Sequence, residues 1–267
     1  MANNEIKAWK ERSNEEKQES INQYNKMIFA TAIKQGKEFW KEDKSIEQIN
    51  KDMPYNPKTG EPYIGITSAL LQAVAKINGY ETNQFITMKQ ANTLGGKLKP
   101  LTNENGQQVI SEKTGKPQYS QGVKIPLMKT YELVPKLNDN KQPIKENGQP
   151  VFVKQYLSKP TLETTTLYHV SQFDNLDHSK FKEKNMENVE KLRYENRNTA
   201  KEPKIEKQLH QIGLHDKTRI ALHEYLNAQS KGIDYKVPLI AKTRTDMQLE
   251  NQKQQNKAQP KKKGMEK

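Results

Sequence analysis

The sequence predicts an α+β fold, in which a small antiparallel sheet has helices packed on it. Apolar residues recur every three to four positions in the first third of the chain, as in helices, and every second position from Val123 onward, as in strands. With 32% hydrophobic and 29% charged residues, the 267-residue chain is polar for one packed from end to end. We therefore expect a folded domain at 17–180, a flexible N-terminus at 1–16, a basic, charged helical extension at 181–241 and a disordered basic tail at 242–267.

Three helices are predicted before the sheet. The first covers 16–35 and stops at Gly36, with an apolar face of Ile21, Tyr24, Ile28 and Ala32. The second has Thr67 as its N-cap and Gly79 as the left-handed residue that ends it. Its buried stripe is expected to be Leu70, Ala73, Val74 and Ile77. The third is short, with a capping box of Thr87 and Gln90, and ends at Gly95-Gly96.

Strands are predicted at 123–127, 151–157 and 164–170, where β-branched and aromatic residues are frequent. Pro126 has no N–H to donate, which places the first of these strands at a sheet edge or at a bulge. The dipeptides Asn105-Gly106 and Asn147-Gly148 are typical of exposed hairpin tips. Towards the C-terminus, the pattern predicts one more helix at 218–226 and a short strand at 236–241.

The net charge of +13 and the pI of about 9.5 favour a polyanionic partner, above all nucleic acid. An A/T-rich genome would also give a lysine-rich chain. The tail at 242–267 carries eight basic and three acidic residues, a charge of +5. It would attract phosphates regardless of base sequence, or only keep the chain soluble.

Several classes of protein are disfavoured. The chain has no cysteine, which excludes disulfides, thiolate metal sites and cysteine nucleophiles. Its first 20 residues lack the apolar stretch of a signal peptide, and no apolar run approaches the roughly 20 residues that span a bilayer. We therefore expect a cytoplasmic protein that does not contact membranes.

No catalytic motif is complete. His223-Glu224 begins like the zinc-peptidase motif His-Glu-x-x-His, but Asn227 stands where the second histidine is needed. There is no Gly-x-Ser-x-Gly and no phosphate-binding Gly-x-x-x-x-Gly-Lys-Ser/Thr loop. We expect a protein that is not an enzyme and that has no metal and no cofactor.

Single-strand binding needs amines along the backbone path and aromatic faces on which bases stack. The stretch at 58–99 offers both, and we take as candidate DNA-binding residues Lys58, Thr59, Tyr63, Tyr80, Phe85, Lys89, Gln90, Lys97 and Lys99. Tyr63, among turn residues, would stack a base and the lysines would pair with phosphates. Backbone amides of the Thr59-Gly60 and Gly95-Gly96 turns would approach phosphate. Alternatively, Tyr80 and Phe85 belong to the core and the lysines to an ordinary solvated face.

The order of these residues resembles a known family. From Trp40 to about Leu176 the chain carries Asn56, Thr59-Gly60, Tyr63, Gly65, Gly79-Tyr80, Thr87, Gln90-Ala91, Gly95-Gly96 and the segment Tyr168-His169-Val170-Ser171-Gln172. This order is similar to that of the N-terminal single-stranded-DNA-binding domain of ArdC-type antirestriction proteins and TraC-type plasmid primases. Thr67, Phe85 and His169 replace the family's usual Asn, Trp and Asn, and an insertion at about 101–121 displaces a basic turn.

The resemblance implies a binding module without the peptidase-like or primase domain that the family often adds. The hypothesis is non-sequence-specific single-stranded DNA binding by a plasmid or mobile-element protein, associated with antirestriction or conjugation. The alternative is a protein-interaction module whose basic face binds an acidic partner in the conjugation or restriction machinery. A third interpretation is a degenerate enzyme with a relic peptidase end. The sequence does not predict the oligomeric state or a preference for DNA over RNA.

Overall fold

The computed structural model describes residues 8–138, 140–198 and 205–242. Residues 1–7 of the predicted N-terminus and 243–267 of the predicted tail lie outside the described residues. The helices are α1 (Asn14–Lys34), α2 (Ile46–Asp52), α3 (Gly65–Asn78), α4 (Met88–Thr93), α5 (Glu187–Asn198), α6 (Ile205–Ile212) and α7 (Asp216–Lys231). The strands are β1 (Phe85–Thr87), β2 (Lys97–Leu98), β3 (Val123–Pro135), β4 (Lys145–Glu146), β5 (Gln149–Pro150), β6 (Phe152–His169) and β7 (Phe173–Asp174). The predicted α+β class is confirmed.

The main sheet is antiparallel and has the order β1-β6-β3. Strand β3 lies at its edge, as Pro126 predicts. The predicted strands at 151–157 and 164–170 are one continuous strand, β6, because both pair with β3 across an irregularity between Lys129 and Tyr131. Beyond that irregularity the β3–β6 hairpin continues as an exposed arm.

Both predicted hairpin tips are exposed turns. Asn147 and Gly148 have φ of 49° and 78°, the two left-handed residues that the tight β4–β5 turn requires. Gly106 has φ of 74° in the corresponding turn of the insertion at 101–121, which folds back on itself through isolated bridges such as Thr102 with Gln108. The insertion is therefore a small hairpin-like excursion between β2 and β3.

The N-terminal end of α1 is tied to the sheet. Ser13 caps the helix and exchanges hydrogen bonds with Glu16, which moves the start of α1 two residues ahead of the predicted one. The indole of Trp9 donates to Glu163 of β6 at 3.1 Å, and the buried ammonium group of Lys17 reaches the same carboxylate at 3.3 Å. The prediction of a flexible end is therefore wrong for residues 8–16, because these long-range polar contacts hold them.

Helix α3 ends as predicted but begins earlier. Gly79 has the left-handed conformation, with φ of 65° and ψ of 33°. The helix starts at Gly65, so Thr67 lies inside the first turn and is not the cap. The turn before the helix holds the chain as far as Tyr63, whose N–H donates to the carbonyl of Pro54. The helix begins two residues later at Gly65, which has a positive φ of 58°.

The main core joins the two ends of the chain. It contains Trp40, from the segment between α1 and α2, together with Phe29 of α1, Leu70 of α3, and Leu222 and Tyr225 of α7. The hydroxyl of Tyr235 donates to the carbonyl of Trp40 at 2.6 Å. The core therefore does not stop at residue 180, and the segment predicted as a charged helical extension completes it with one face of α6 and α7.

The strand predicted at 236–241 is wrong. Tyr235 forms a single bridge with Lys44, and the chain then runs into a short 3-10 turn at Leu239–Ala241. The N–H of Val237 donates to the carboxylate of Asp43 and Pro238 has no N–H, so neither supports a strand ladder.

A second, smaller core supports the region around α4. It consists of Ile86, Ala91, Leu94, Val170, Phe173 and Leu176. These residues come from β1, α4, β7 and the segments beside them. The second core fixes α4 and the β2–β7 pair as one rigid edge of the protein, and this edge carries most of the lysines that the sequence singles out.

Candidate nucleic-acid interface

Lys58 and Lys89 lie on the same side of α4. Lys89 and Thr93 are four residues apart on this helix, a spacing that places two side chains one above the other. The ammonium group of Lys58 contacts the hydroxyl of Thr93, so it is brought to the same face from the turn at 54–63. Lys89 itself is exposed. Together they give α4 a positively charged outer face.

Lys97 and Lys99 follow α4 on and after β2. Both are exposed, whereas Leu98 between them packs against the second core, so the two ammonium groups project on the solvent side. Lys99 donates to the carbonyl of Ser171 at 3.1 Å and lies 3.6 Å from the carboxylate of Asp174. Asp174 is also the register partner of Lys97, so this carboxylate offsets part of the local charge.

The aromatic candidates pack against the protein: Phe85 is buried, and Tyr63 and Tyr80 are partly buried. Phe85 is fully buried, and its carbonyl accepts a hydrogen bond from the hydroxyl of Tyr63 at 3.1 Å. Tyr63 is partly buried against the main core, and this burial raises its pKa to about 12. The expectation of an exposed Tyr63 is therefore wrong, and Phe85 has no free face on which a base could stack.

Tyr80 already stacks on a protein ring. Its ring lies 3.9 Å from that of His169, with an angle of 9° between the planes, and burial raises its pKa above the usual value. His169 is buried, with Nε2 2.9 Å from the carbonyl of Thr82 and Nδ1 accepting from the N–H of Ser171. Burial lowers the pKa of His169 to about 4, so this imidazole is neutral at pH 7.

Gln90 and Thr59 hold the turn at 54–63 in place. The Oε1 of Gln90 accepts hydrogen bonds from Asn56 at 3.1 Å and from the N–H of Thr87 at 3.0 Å, which completes the predicted capping box of α4. The hydroxyl of Thr59 is exposed and accepts from the N–H of Glu61 at 3.2 Å. Both side chains are engaged with their own chain.

The two glycine turns do not offer free amides. The N–H groups of Thr59 and Gly60 both donate to the carbonyl of Asn56, and that of Gly96 donates to the carbonyl of Ala91. A Cβ on Gly60 would lie 2.7 Å from the carbonyl oxygen of Glu183. The prediction that the backbone amides of these turns approach phosphate is therefore wrong. The lack of a side chain at Gly60 instead lets the segment around Glu183 pack closely against the turn.

The comparison with protein families gives one match. The model of the N-terminal domain of the anti-restriction factor ArdC matches residues 9–156, more than half of the chain. This chain belongs to the ArdC N-terminal domain family. The resemblance drawn from the motif order is thereby confirmed, and the match includes helices α1 to α4, the insertion and the outer part of the β3–β6 hairpin.

The chain was also compared with solved structures and with curated proteins. The crystal structure of the antirestriction protein ArdC from plasmid R388, in its metal-free form, is 20% identical to this chain and is matched over 58% of it with a TM-score of 0.31. At this TM-score the superposition is not informative about the fold. The chain spans 42% of the length of the R388 protein. No curated protein matches the chain.

The structure adds lysines to this ArdC-type domain that the sequence analysis did not select. The segment at 177–185 returns along the turn at 54–63, where the N–H of Lys182 donates to the carbonyl of Pro57 at 2.7 Å. Lys180 and Lys182 are exposed in this segment, more than a hundred residues from Lys58 in sequence, and Lys180 pairs with the carboxylate of Asp177 at 2.9 Å. Only the tertiary structure brings them to the α4 edge, and no local pattern signals it.

Lys184, from the same segment, makes internal contacts. Its ammonium group donates to the carbonyl oxygens of Asn50 and Lys51 and lies 5.3 Å from the centre of the Tyr55 ring. Burial lowers its pKa to about 8. This lysine anchors the returning segment and is not part of the exposed charged face.

The described part of the chain has no metal cluster: no three His, Cys, Asp or Glu side chains in it are placed to share an ion. His223 and Glu224 lie side by side on α7, with Nδ1 and Oε1 3.3 Å apart. Across the same residues, every helix is either too short or too polar to cross a bilayer.

Proposed function

We propose that this protein binds single-stranded DNA without sequence preference, as a plasmid or mobile-element module associated with antirestriction or conjugation. The observation that carries the proposal is the lysine set on the edge formed by α4, β2 and the turn at 54–63, which we call the lysine edge: the exposed Lys89, Lys97 and Lys99 and the half-buried Lys58. Membership of the ArdC N-terminal domain family supports it. The tail, with its charge of +5, would add attraction of the same kind.

The lysine edge suits binding to phosphates more than reading of bases. The backbone that carries these lysines is held by the second core and by the capping box of α4. The entropy lost on binding is therefore mainly that of the lysine side chains. Lysines act on phosphates as point charges and carry no base information. Binding at this edge is therefore expected to depend on salt and to tolerate any sequence.

The test is a titration of a labelled single strand of about 30 nucleotides, longer than the roughly 4–16 nucleotides that one module covers, and of its duplex. Fluorescence anisotropy at several salt concentrations gives the slope of log K against log salt. The triple variant Lys89→Ala, Lys97→Ala and Lys99→Ala should lower that slope by up to about two units, since each single-strand phosphate contact contributes about 0.7. An unchanged slope would remove the lysine edge from the binding surface.

A matched control has the same charge change elsewhere. Lys34, Lys207 and Lys217 are exposed on α1, α6 and α7, and their triple alanine variant should leave the slope nearly unchanged. If both triple variants lower the slope equally, the effect is one of net charge and not of the lysine edge. If the wild type binds neither strand at low salt but binds an acidic protein of the restriction or conjugation machinery, the protein-interaction alternative replaces this proposal.

A further inference from the structure

The outer half of the β3–β6 hairpin carries a large exposed apolar surface. Beyond the irregularity at Lys129, cross-strand pairs run from Tyr131 with Tyr156 to Pro135 with Phe152. Tyr156 is 73% exposed, Leu133 61% and Phe152 52%. Exposed aromatic and apolar groups at this density mark a contact surface more often than ordinary solvent-facing strand.

These side chains share one face of the arm. Alternate residues of a strand point to the same side, as do directly paired residues of two antiparallel strands. The face that results, which we call the aromatic arm face, consists of Tyr131, Leu133, Pro135, Phe152, Lys154 and Tyr156. The opposite face carries Glu132, Val134, Val153 and Gln155. The aromatic rings are therefore gathered on one side and not scattered.

The arrangement alternates rings and charge. Phe152, Lys154 and Tyr156 follow at every second residue, so the backbone positions of the two aromatic residues lie about 13 Å apart along the strand, with Lys154 between them in sequence. Lys154 lies 4.7 Å from the centre of the Tyr131 ring, and the Tyr131 and Tyr156 rings are 6.1 Å apart at 64°. Rings held by their neighbours lose little freedom when a planar ligand stacks on them.

The charge of the arm indicates which kind of ligand its surface can bind. Residues 129–160 contain six lysines and three acidic residues, a formal charge of +3, which suits a polyanion with planar apolar groups. Single-stranded nucleic acid has both, whereas a duplex keeps its base faces stacked internally. Of the candidate rings near the lysine edge, Phe85 is buried and Tyr80 is stacked on His169. The arm offers a larger aromatic surface, on which Tyr131, Phe152 and Tyr156 are all exposed.

We propose that the aromatic arm face is a base-stacking platform for single-stranded nucleic acid, with Tyr156 and Phe152 as its principal rings. This inference rests on the proposed function and assigns it a second contact surface. Lys154 pairs with the phosphate between two stacked bases, and Tyr131 backs the Tyr156 ring from the paired strand. The bases are held by their faces, so no sequence preference arises.

The experiment uses the full chain and the same labelled strand, as DNA and as RNA. The double variant Phe152→Ala and Tyr156→Ala should weaken binding by about 5- to 150-fold for each stacked base lost, while the salt slope stays as in the wild type, because no charge is removed. Lys154→Ala should instead lower the slope by about 0.7. Tyr156→Trp should retain affinity, and the introduced indole should be quenched when the strand binds.

Val153→Ala is the matched control, because Val153 lies on the same strand but on the opposite face and is 40% exposed. It should leave affinity unchanged. Wild-type binding that the double variant retains in full would overturn the arm and leave the proposed function standing. A wild type that binds no single strand would overturn both. Loss of self-association in the double variant, with affinity for the strand intact, would identify the arm as an interface between two copies and overturn the platform.

Folding is checked independently of binding. The rings are solvent-exposed, so the double variant should unfold in denaturant at a midpoint close to that of the wild type. If its midpoint falls strongly, the single variant Tyr156→Phe keeps the question decidable: it preserves the ring and the strand, so a stacking platform predicts unchanged affinity. A large loss of affinity in that variant would overturn stacking as the mode of binding.

Discussion

The amide of Asn56 donates to Oε1 of Gln90 at 3.1 Å and so joins the turn at 54–63 to the first turn of α4. The same Gln90 oxygen accepts from the N–H of Thr87, and the Oδ1 of Asn56 accepts from the N–H of Lys58 at 3.0 Å. Asn56 is 9% exposed. Residues that carry the family resemblance therefore build the support on which the exposed lysines stand.

This pairing predicts a stability effect. Gln90→Ala leaves the buried amide of Asn56 without its acceptor and removes the capping box of α4, so the free energy of unfolding should fall by about 1–3 kcal/mol. Denaturant unfolding measures it. Lys76→Ala, an exposed change on α3, should stay within about 0.5 kcal/mol of the wild type. Equal midpoints for the two variants would show that the Asn56–Gln90 bond contributes nothing.

The sequence predicted local features well where one short segment decides them. The capping box of Thr87, the left-handed Gly79 and the edge position of Pro126 each depend on the chemistry of a few neighbouring residues, and each is present. The predicted start of α3 was wrong because the turn before the helix is held by contacts that the local sequence pattern does not show. The helices α6 and α7 belong to the core, which only long-range packing against Trp40 and Leu70 establishes.

The candidate site was predictable only in part. The exposure of Lys89, Lys97 and Lys99 could be predicted from the sequence, because lysines in a polar segment are mostly exposed to solvent. The burial of Tyr63 and Phe85 does not, since an aromatic ring near turn residues suits the core as well as the surface. For the arm, the alternation Phe152-x-Lys154-x-Tyr156 was visible in the sequence as a strand. That its apolar face is exposed among the described residues required the structure.

The glycines of the turn at 54–63 predict a second difference in stability. Gly60 has φ of 82°, and an added Cβ would lie 2.7 Å from the carbonyl oxygen of Glu183, whereas Gly36, with φ of 64°, has open space around it. Gly36→Ala should lower the free energy of unfolding by about 1–2 kcal/mol through its backbone alone. Gly60→Ala should add about 1–3 kcal/mol from the clash. Thermal and denaturant unfolding of the two variants, side by side, measure the difference, and equal losses would mean that the segment at 183–185 yields freely.

His169 predicts a dependence of stability on pH. Its pKa is about 4 in the folded state, because burial disfavours the charged imidazole, against about 6.5 when unfolded. Between these values the unfolded state binds the proton and the folded state does not, so stability falls as the pH drops from about 6.5 towards 4. The full contribution is of the order of 3 kcal/mol. Urea unfolding at pH 7, 6 and 5 should show the decline.

The control for His169 is the variant His169→Asn, which keeps a polar side chain but removes the titrating ring. Its stability should change less than that of the wild type between pH 7 and 5, whatever its absolute value. The exposed carboxylates titrate in both proteins and cancel in the comparison. Parallel pH profiles for wild type and variant would show that His169 is protonated in the folded state without penalty.

The carboxylate of Asp174 predicts a gain of affinity for the proposed ligand. It lies 3.6 Å from the ammonium group of Lys99 and pairs in register with Lys97, so it competes with phosphate for both lysines. Asp174→Asn keeps the shape of β7 and removes the charge, and should tighten binding of a single strand at low salt by a few-fold, an effect that fades as salt rises. Glu47→Gln, on the exposed side of α2, makes the same charge change outside the lysine edge and should have little effect. Anisotropy titrations of the wild type and the two variants measure the affinity for the strand. An equal gain of affinity in both variants would assign the effect to net charge. No gain for Asp174→Asn would mean that the strand does not bind at Lys97 and Lys99.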